Sequence, residues 1–394
     1  MNQFTTDIVN ALVKKQDITE VFRSHLEKAV NTLLTTELTA FLDYEKYDRI
    51  GFNSGNSRNG SYGRTLHTEY GDLNIQIPRD RNGEFKQQTV APYKRSNDTL
   101  ESFVIHMFQK GVTTSEIAGL IEKMYGHHYT PQTISNMTKT MTEQVEAFNK
   151  RTLSARYVCV YLDATFIPVR RETVSKEAVY LAVGISEDGT KEVLAYTIAP
   201  TESAFNWQEL LVDLKERGVE KVLLFISDGL KGIADAIFSV FPKSQYQTCL
   251  VHVARNLSHK VRVEDQSEVC DDFKTVYRAD SQEGGQEALD AFCEKWQKAY
   301  PKLTKSLAEN PYLLTFYRFP QSIWRSIYST NLIESFNKQI KKYTKRKEQF
   351  PNEEALERFL VSQFEDYNHR FATRCHIGFD KARAELAAMF ETKE

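Results

Sequence analysis

Apolar positions recur at spacings of three and four from residue 1 to about 47, through Val21, Leu26, Val30, Leu33, Leu34, Leu38 and Leu42. That period predicts amphipathic helix. It changes to two at Leu73, Ile75 and Ile77, and Arg81-Asn82-Gly83 offers a tight turn, so residues 51–97 read as a small β-rich, basic module. Helical patterning returns over 98–147. A first segment stops at Gly111, and Thr113 to Glu116 has the form of a capping box. A second segment stops at Gly126, and Thr130-Pro131 opens a third. On the third, Ile134, Met137 and Met141 take the inward face, while Gln132, Ser135, Asn136 and Lys139 take the outward one. Three short helices in this order fit a helix-turn-helix whose last helix enters the DNA major groove. Such trios also serve purely structural roles.

The run RYVCVYLDATF, from Arg156 to Phe166, reads as a buried strand ending on Asp163. Ala178–Ser186 and Glu192–Ala199 are two further strands, joined by the turn Glu187-Asp188-Gly189-Thr190. Phe205, Leu210, Leu211 and Leu214 mark a helix that stops at Gly218. Val222–Ile226 is again a buried strand, ending at Ser227-Asp228-Gly229. A helix through Ile233 and Ile237 follows, then a strand over Gln245–Val251. The order β-β-β-α-β-α-β predicts an α/β core with a mixed five-stranded sheet and flanking helices. From about 260 to 325 the anchors Phe273, Val276, Tyr277, Leu289, Phe292, Trp296 and Tyr300 predict an all-helical insertion. Helix resumes through Leu332, Ile333, Phe336, Ile340 and Tyr343, capped by Thr330 or Asn331, and again over 352–390. The expected divisions are 1–50, 51–97, 98–150, 151–260, 261–325 and 326–394.

Composition narrows the class. The 394 residues are 41% hydrophobic and 26% charged, which suits a folded chain of two or three domains. Five scattered cysteines, at 159, 249, 270, 293 and 375, argue against a disulfide framework and for a reducing compartment. The chain has no run of 18 apolar residues and no signal-peptide pattern, so a cytoplasmic protein without a membrane partner is expected. The net charge of −2 confines any nucleic-acid contact to local patches, of which Arg49–Arg95 and Lys338–Lys347 are the candidates.

Two aspartates, Asp163 and Asp228, end apolar strands, where open α/β sheets gather functional groups. Two bare carboxylates brought together repel, and a divalent cation such as Mg²⁺ or Mn²⁺ removes the conflict. Each aspartate also fits a turn or a helix cap. Glu334 is the one acid between Tyr328 and Lys347, and it fits both a first-turn acid and an i,i+4 partner for Lys338. Cys249 and His252 have half the spacing of a zinc site, without a second pair at matching distance. Trp324 suits stacking on an unpaired base, and equally suits core packing beside the next helix.

Leu162-Asp163-Ala164, Ile226-Ser227-Asp228-Gly229, Cys249-Leu250-Val251-His252 and WRSIYSTNLIESFN at 324–337 together resemble the bacterial Mutator-type transposases of insertion sequences. SRNGSY at 57–62 and IPRDRNGEF at 77–85 extend the likeness over nearly the whole chain. These are DDE enzymes with an RNase H-like catalytic core. The resemblance implies that Asp163, Asp228 and Glu334 are the catalytic, metal-binding acids, with two Mg²⁺ (or Mn²⁺) ions per active site. It makes 261–325 the family's insertion. It matches Cys249 and His252 to a C-x-x-H element near the site, with Asn331 and Asn337 as accessory candidates. It implies DNA as partner, both terminal inverted repeats and target, held by a homodimer. Candidate DNA contacts are Gln132, Ser135, Asn136, Lys139, Trp324, Arg325, Lys338, Lys341, Lys342 and Lys345. After Asn337 the family carries arginines where this chain has KQIKKYTKRK; lysine keeps the charge and loses bidentate geometry toward phosphate. The expected activity is metal-dependent strand cleavage and strand transfer. Its rivals are a nuclease that cuts without joining and a domesticated, sequence-specific DNA-binding protein.

Overall fold

The computed structural model describes residues 3–46, 55–68, 70–87, 90, 98–125, 129–170, 174–201, 203–230 and 232–391. The chain forms two compact units, Met1–Thr140 and Met141–Glu394. Among the described residues no helix is long and apolar enough to cross a membrane.

The first unit contains α1 (Gln3–Val13), α2 (Ile18–Leu42), β1 (Arg58–Thr68), β2 (Gly71–Asp80), α3 (Asp98–Gln109), α4 (Thr114–Tyr125) and α5 (Pro131–Thr138). β1 and β2 form an antiparallel hairpin, and the period-two residues Leu73, Ile75 and Ile77 bury one face of it under Leu34 of α2. Asn31 and Glu27 of α2 also take up the free edge of β2. Gln76 donates its N–H to Asn31 Oδ1 at 2.7 Å, and Asn74 donates to Glu27 Oε2 at 2.9 Å. That edge is thereby closed to further strands. The hairpin turns between Thr68 and Gly71, not at Arg81-Asn82-Gly83, which follows β2. The capping box forms as expected: Thr113 N–H donates to Glu116 Oε2 at 2.9 Å, and Glu116 N–H to Thr113 Oγ1 at 3.2 Å. Thr130 caps α5, with Pro131 in its first turn. Ile134, Met137 and Met141 are buried, and α3, α4 and α5 pack on one another. Gly126 lies outside the described residues, as do Arg49 and Arg95 at the ends of the basic stretch.

The second unit begins with α6 (Thr142–Lys150), β3 (Arg156–Arg170), β4 (Val174–Ser186), β5 (Lys191–Ala199), α7 (Ala204–Glu216), β6 (Lys221–Ser227), α8 (Ile233–Val240), β7 (Gln245–Thr248) and α9 (Leu250–Lys260). It continues with α10 (Gln266–Val276), α11 (Gln282–Trp296), α12 (Pro301–Ala308), α13 (Trp324–Ile327), α14 (Asn331–Lys347), α15 (Glu353–Phe371) and α16 (Phe379–Glu391). The five strands form one mixed sheet in the order β5-β4-β3-β6-β7. β5, β4 and β3 are antiparallel, while β3–β6 and β6–β7 are parallel. Trp207, Leu210, Leu211 and Leu214 of α7 and Ile233 and Ile237 of α8 complete a core against Val160, Leu162 and Phe225 of the sheet. Helices α14 and α15 pack against β3.

Strands β3, β4 and β7 differ from the lengths their sequences predict, β4 beginning at Val174 instead of Ala178 because it pairs with the longer β3. β3 does not end at Asp163. It runs to Arg170 because Ile167 and Val169 keep alternating into the core and β4 pairs with it all the way. β6 leaves β3 after Tyr161, so Pro168 sits where its missing N–H costs that ladder nothing. Further along, Phe350 takes that edge: it donates to the Pro168 carbonyl at 3.0 Å, and Arg170 donates back to the Phe350 carbonyl at 2.8 Å. β7, in turn, stops at Thr248 instead of Val251. Cys249 donates its N–H to the Ser227 carbonyl at 2.7 Å and Leu250 to the Tyr328 carbonyl at 2.8 Å, which turns the chain into α9.

Helix α14 is held by Ile333, Phe336 and Ile340, all buried. Phe336 packs on Phe364 and Tyr367 of α15, with ring centroids 5.9 and 4.5 Å away. Phe336→Ala is expected to destabilise this unit by about 3–5 kcal/mol, the cost of an aromatic cavity. Urea unfolding should show a lower midpoint with an unchanged slope.

Candidate active site

Asp163 and Asp228 stand side by side along the chain register. The last β3–β6 pair is Tyr161 with Ile226, so each aspartate lies two residues beyond it. Residues alternate along a strand, and Tyr161 sets the side. Its hydroxyl donates to the Ser326 carbonyl at 3.0 Å, just ahead of α14. Asp163 faces the same way: Asn337 of α14 donates from Nδ2 to Asp163 Oδ2 at 2.7 Å, and the Ala164 N–H donates to Oδ1 at 2.9 Å. Asp228 Oδ1 is buried with no hydrogen-bond partner. An orphaned buried acceptor costs about 1–3 kcal/mol, more when charged.

Burial pushes the Asp163 carboxyl up to about 6; the Asn337 bond opposes this and the Asp228 charge adds to it. Burial also raises Asp228, with His252 opposing and Glu334 adding. The three acids thus form a chain of repulsion, from Asp163 to Asp228 to Glu334.

Glu334 is compensated differently. Its side chain is only 12% exposed, and Arg255 of α9 grips it with both ends of the guanidinium, Nη1 to Oε1 at 3.0 Å and Nη2 to Oε2 at 3.2 Å. His252 Nε2 lies 3.2 Å from the same Oε1. Burial works to raise Glu334, but Arg255, then His252 and Lys338, hold it below the usual value. The structure therefore pairs Glu334 with Arg255 from another helix in place of Lys338, which acts only at a distance.

Cys249 clasps the start of α14. The N–H and hydroxyl of Thr330 both donate to its Sγ, each at 3.2 Å. Thr330 occupies the N-cap position without bonding the helix backbone through its side chain; its hydroxyl also lies 3.4 Å from His252 Nδ1 and 3.5 Å from Glu334 Oε1. Burial works to raise the Cys249 thiol, and hydrogen bonds from His252 and Thr330 outweigh it. The Cys249 contact, with the Glu334 and Asp228 charges, keeps His252 above its ordinary value despite burial. Among the described residues no three His, Cys, Asp or Glu side chains are grouped tightly enough to hold a metal ion as they stand. The half-spacing of a zinc site thus finds no completing ligands there. The two aspartates do suit a hard divalent cation, with oxygen donors of which one is buried and unpaired.

The other predicted residues are dispersed. Lys338, Lys341, Lys342 and Lys345 are exposed along α14. Lys347 is buried instead, over the rings of Phe350 and Phe359. Trp324 donates from Nε1 to the Phe319 carbonyl at 2.7 Å and meets Phe316 and Tyr317 edge-on, so it serves its own core. Asn331 does not join the acids in any hydrogen bond of the site; with Arg325, Lys191 and Arg370 it lines a cleft of about 600 Å³. Asp228 lines a second cleft, of about 800 Å³, with Tyr246, Tyr312, Asn256, Lys260 and Lys302. On the first unit, Gln132, Asn136 and Lys139 are exposed and Ser135 is partly so. Arg255 escaped the sequence reading. Its signal is spacing: Arg255 follows His252 by three residues on α9, as His252 follows Cys249 at the helix N-cap.

The profile of the family described as "Transposase, Mutator family" matches residues 2–373. The chain belongs to the Mutator family of transposases. It is 50% identical to the transposase for insertion sequence element IS905 of Lactococcus lactis, over 99% of this chain and 100% of that one. It is 49% identical to the IS1201 transposase of Lactobacillus helveticus, over 93% of this chain and 100% of that one. Among solved structures it is similar to the Drosophila P element transposase strand transfer complex, at 10% identity, covering 75% of this chain and 95% of that one. The TM-score of 0.34 is too low to fix the fold.

The raised Asp163 has a measurable consequence in this family member. A carboxyl held above its unfolded value binds its proton more tightly in the native state. Stability therefore falls as pH rises from 3.8 to about 6. Asp163→Asn is expected to stabilise the metal-free protein by about 1–2 kcal/mol at neutral pH. The figure allows for partial screening of a shift in which each tenfold change is worth about 1.4 kcal/mol. The gain should vanish below pH 3.8, as read by urea unfolding in chelator on both sides of the window.

Proposed function

We propose that this chain is the transposase of an insertion sequence, which binds the element's terminal inverted repeats and cuts and joins DNA at its ends. In this reading the mixed sheet is an RNase H-like core, residues 261–325 are its helical insertion, and Asp163, Asp228 and Glu334 are its metal-binding acids. The observation that carries it is the shared register of Asp163 and Asp228 beyond the β3–β6 pair, with Asp228 Oδ1 buried and unpaired. Family membership supports it. Two Mg²⁺ or Mn²⁺ ions held by these acids would supply Lewis-acid stabilisation of the attacking and leaving oxygens of a phosphodiester.

The protein's own residues set the stage. Asn337 fixes the rotamer of Asp163, and the Cys249–Thr330 clasp fixes the start of the helix that carries Glu334. The exposed lysines of α14 draw the DNA backbone toward the acids by charge alone. Helix α5 presents Gln132, Ser135 and Asn136, with Lys139 at its C-cap, to the terminal repeat, as the third helix of a helix-turn-helix. Two copies of the chain hold the two ends.

Asp163→Asn, Asp228→Asn and Glu334→Gln should each abolish cleavage of a labelled end duplex in Mg²⁺ while leaving its gel shift intact. Normal cutting by any of them overturns the assignment. A pre-cut end supplied with target DNA should give joined product; cutting without joining means a nuclease, and binding without cutting means a regulator. Replacing Lys341, Lys342 and Lys345 by Ala should weaken DNA binding. The logarithmic dependence of affinity on salt should flatten by about 0.9 for each phosphate no longer neutralised.

A further inference from the structure

We propose that Arg255 is a DNA-sensing residue of the active site: its guanidinium holds Glu334 in the free protein and passes to a backbone phosphate of bound DNA, which releases Glu334 to the two aspartates. The inference rests on the assignment of the three acids above and adds a residue that the assignment does not contain.

Exposure gives the first argument. Glu334 is 12% exposed and Arg255 is 48% exposed, so the carboxylate is hidden while the guanidinium stands open to an incoming strand. Chemistry gives the second. The planar fork that grips a carboxylate with two parallel bonds grips a phosphate in the same way, so an exchange of partners loses little. Location gives the third. Arg255 bonds Glu334, and Glu334 and His252 both act on Asp228 by charge, so the guanidinium stands at the rim of the acid group. A DNA phosphate brought to the acids would have Arg255 beside it. The fourth argument is what the exchange accounts for. Among the described residues no three metal-binding side chains are gathered as they stand, and the acid bound outside its group is the one Arg255 holds. A ligand shifts an equilibrium only by its differential interaction with the two states, and the phosphate–Arg255 contact supplies that difference.

The test is Mn²⁺ binding by the full chain, followed by the electron paramagnetic resonance of free Mn²⁺, with and without a duplex of the element's end and with the duplex alone as blank. Wild type should bind Mn²⁺ about tenfold more tightly with DNA, within the usual range of coupling between two sites. Arg255→Gln should bind Mn²⁺ without DNA about as tightly as wild type does with it, and gain little when DNA is added. Adding Glu334→Gln to that variant should remove the gain. Far-UV circular dichroism confirms that each variant is folded. The proposal is overturned if Arg255→Gln binds Mn²⁺ no better than wild type without DNA, or if its gain survives Glu334→Gln. The acid assignment fails separately, and shows itself differently: Asp163→Asn and Asp228→Asn would then leave Mn²⁺ binding unchanged in every background. If those two weaken binding while Arg255→Gln changes nothing, the acids stand and only the role of Arg255 falls.

Discussion

Parallel pairing of β3 with β6 places two carboxylates at the same level of one sheet, and the surrounding polar groups answer that repulsion. Each acid has a different remedy. Asp163 takes two N–H donors and still sits well above the ordinary carboxylate range, because burial dominates. Asp228 keeps a bare oxygen. Glu334 is compensated from α9, by the Arg255 guanidinium and a contact with His252. A site at rest that tolerates one bare oxygen and one raised acid stores unfavourable charge that a bound cation would relieve.

The C-x-x-H pair shows how a metal-like spacing can do mechanical work. Cys249 ends the turn out of β7 and accepts two bonds from Thr330, tying the beginning of one functional helix to the beginning of another. His252 and Arg255 then follow at successive turns of α9 and reach Glu334. Sulfur here is an acceptor within a hydrogen-bond lattice, and α9 becomes the rail along which the compensating charges are set out.

Much of this was legible in residue order. The run of strands and helices in the second unit announced a mixed sheet, since buried strands are short, apolar and bounded by turns. The two aspartates stood out because each interrupts or follows such a run, and Glu334 because it is the one acid of a basic helical stretch. Strand ends were less legible. Ile167 and Val169 continue the alternation beyond Asp163 through a proline, and only the partner strand β4 shows that pairing persists there. Similarly, Gln245 to Val251 reads as a strand, but tertiary bonds from Cys249 and Leu250 end it early. The partner of Glu334 was least legible of all. Local spacing favours Lys338, whereas a half-exposed arginine on a remote helix wins because its two-pronged geometry fits a nearly buried carboxylate.

Phe350 carries a consequence of its own. It stitches the chain just past α14 to the edge of β3 that β6 has abandoned, while Thr330 moors the opposite end of the same helix to Cys249. A rod anchored at both tips to the strand-and-turn frame cannot slide lengthwise or swing as a lever. The proposed release of Glu334 therefore needs only a torsion of its own side chain, on the fast timescale of rotamers, with no hinge between bodies.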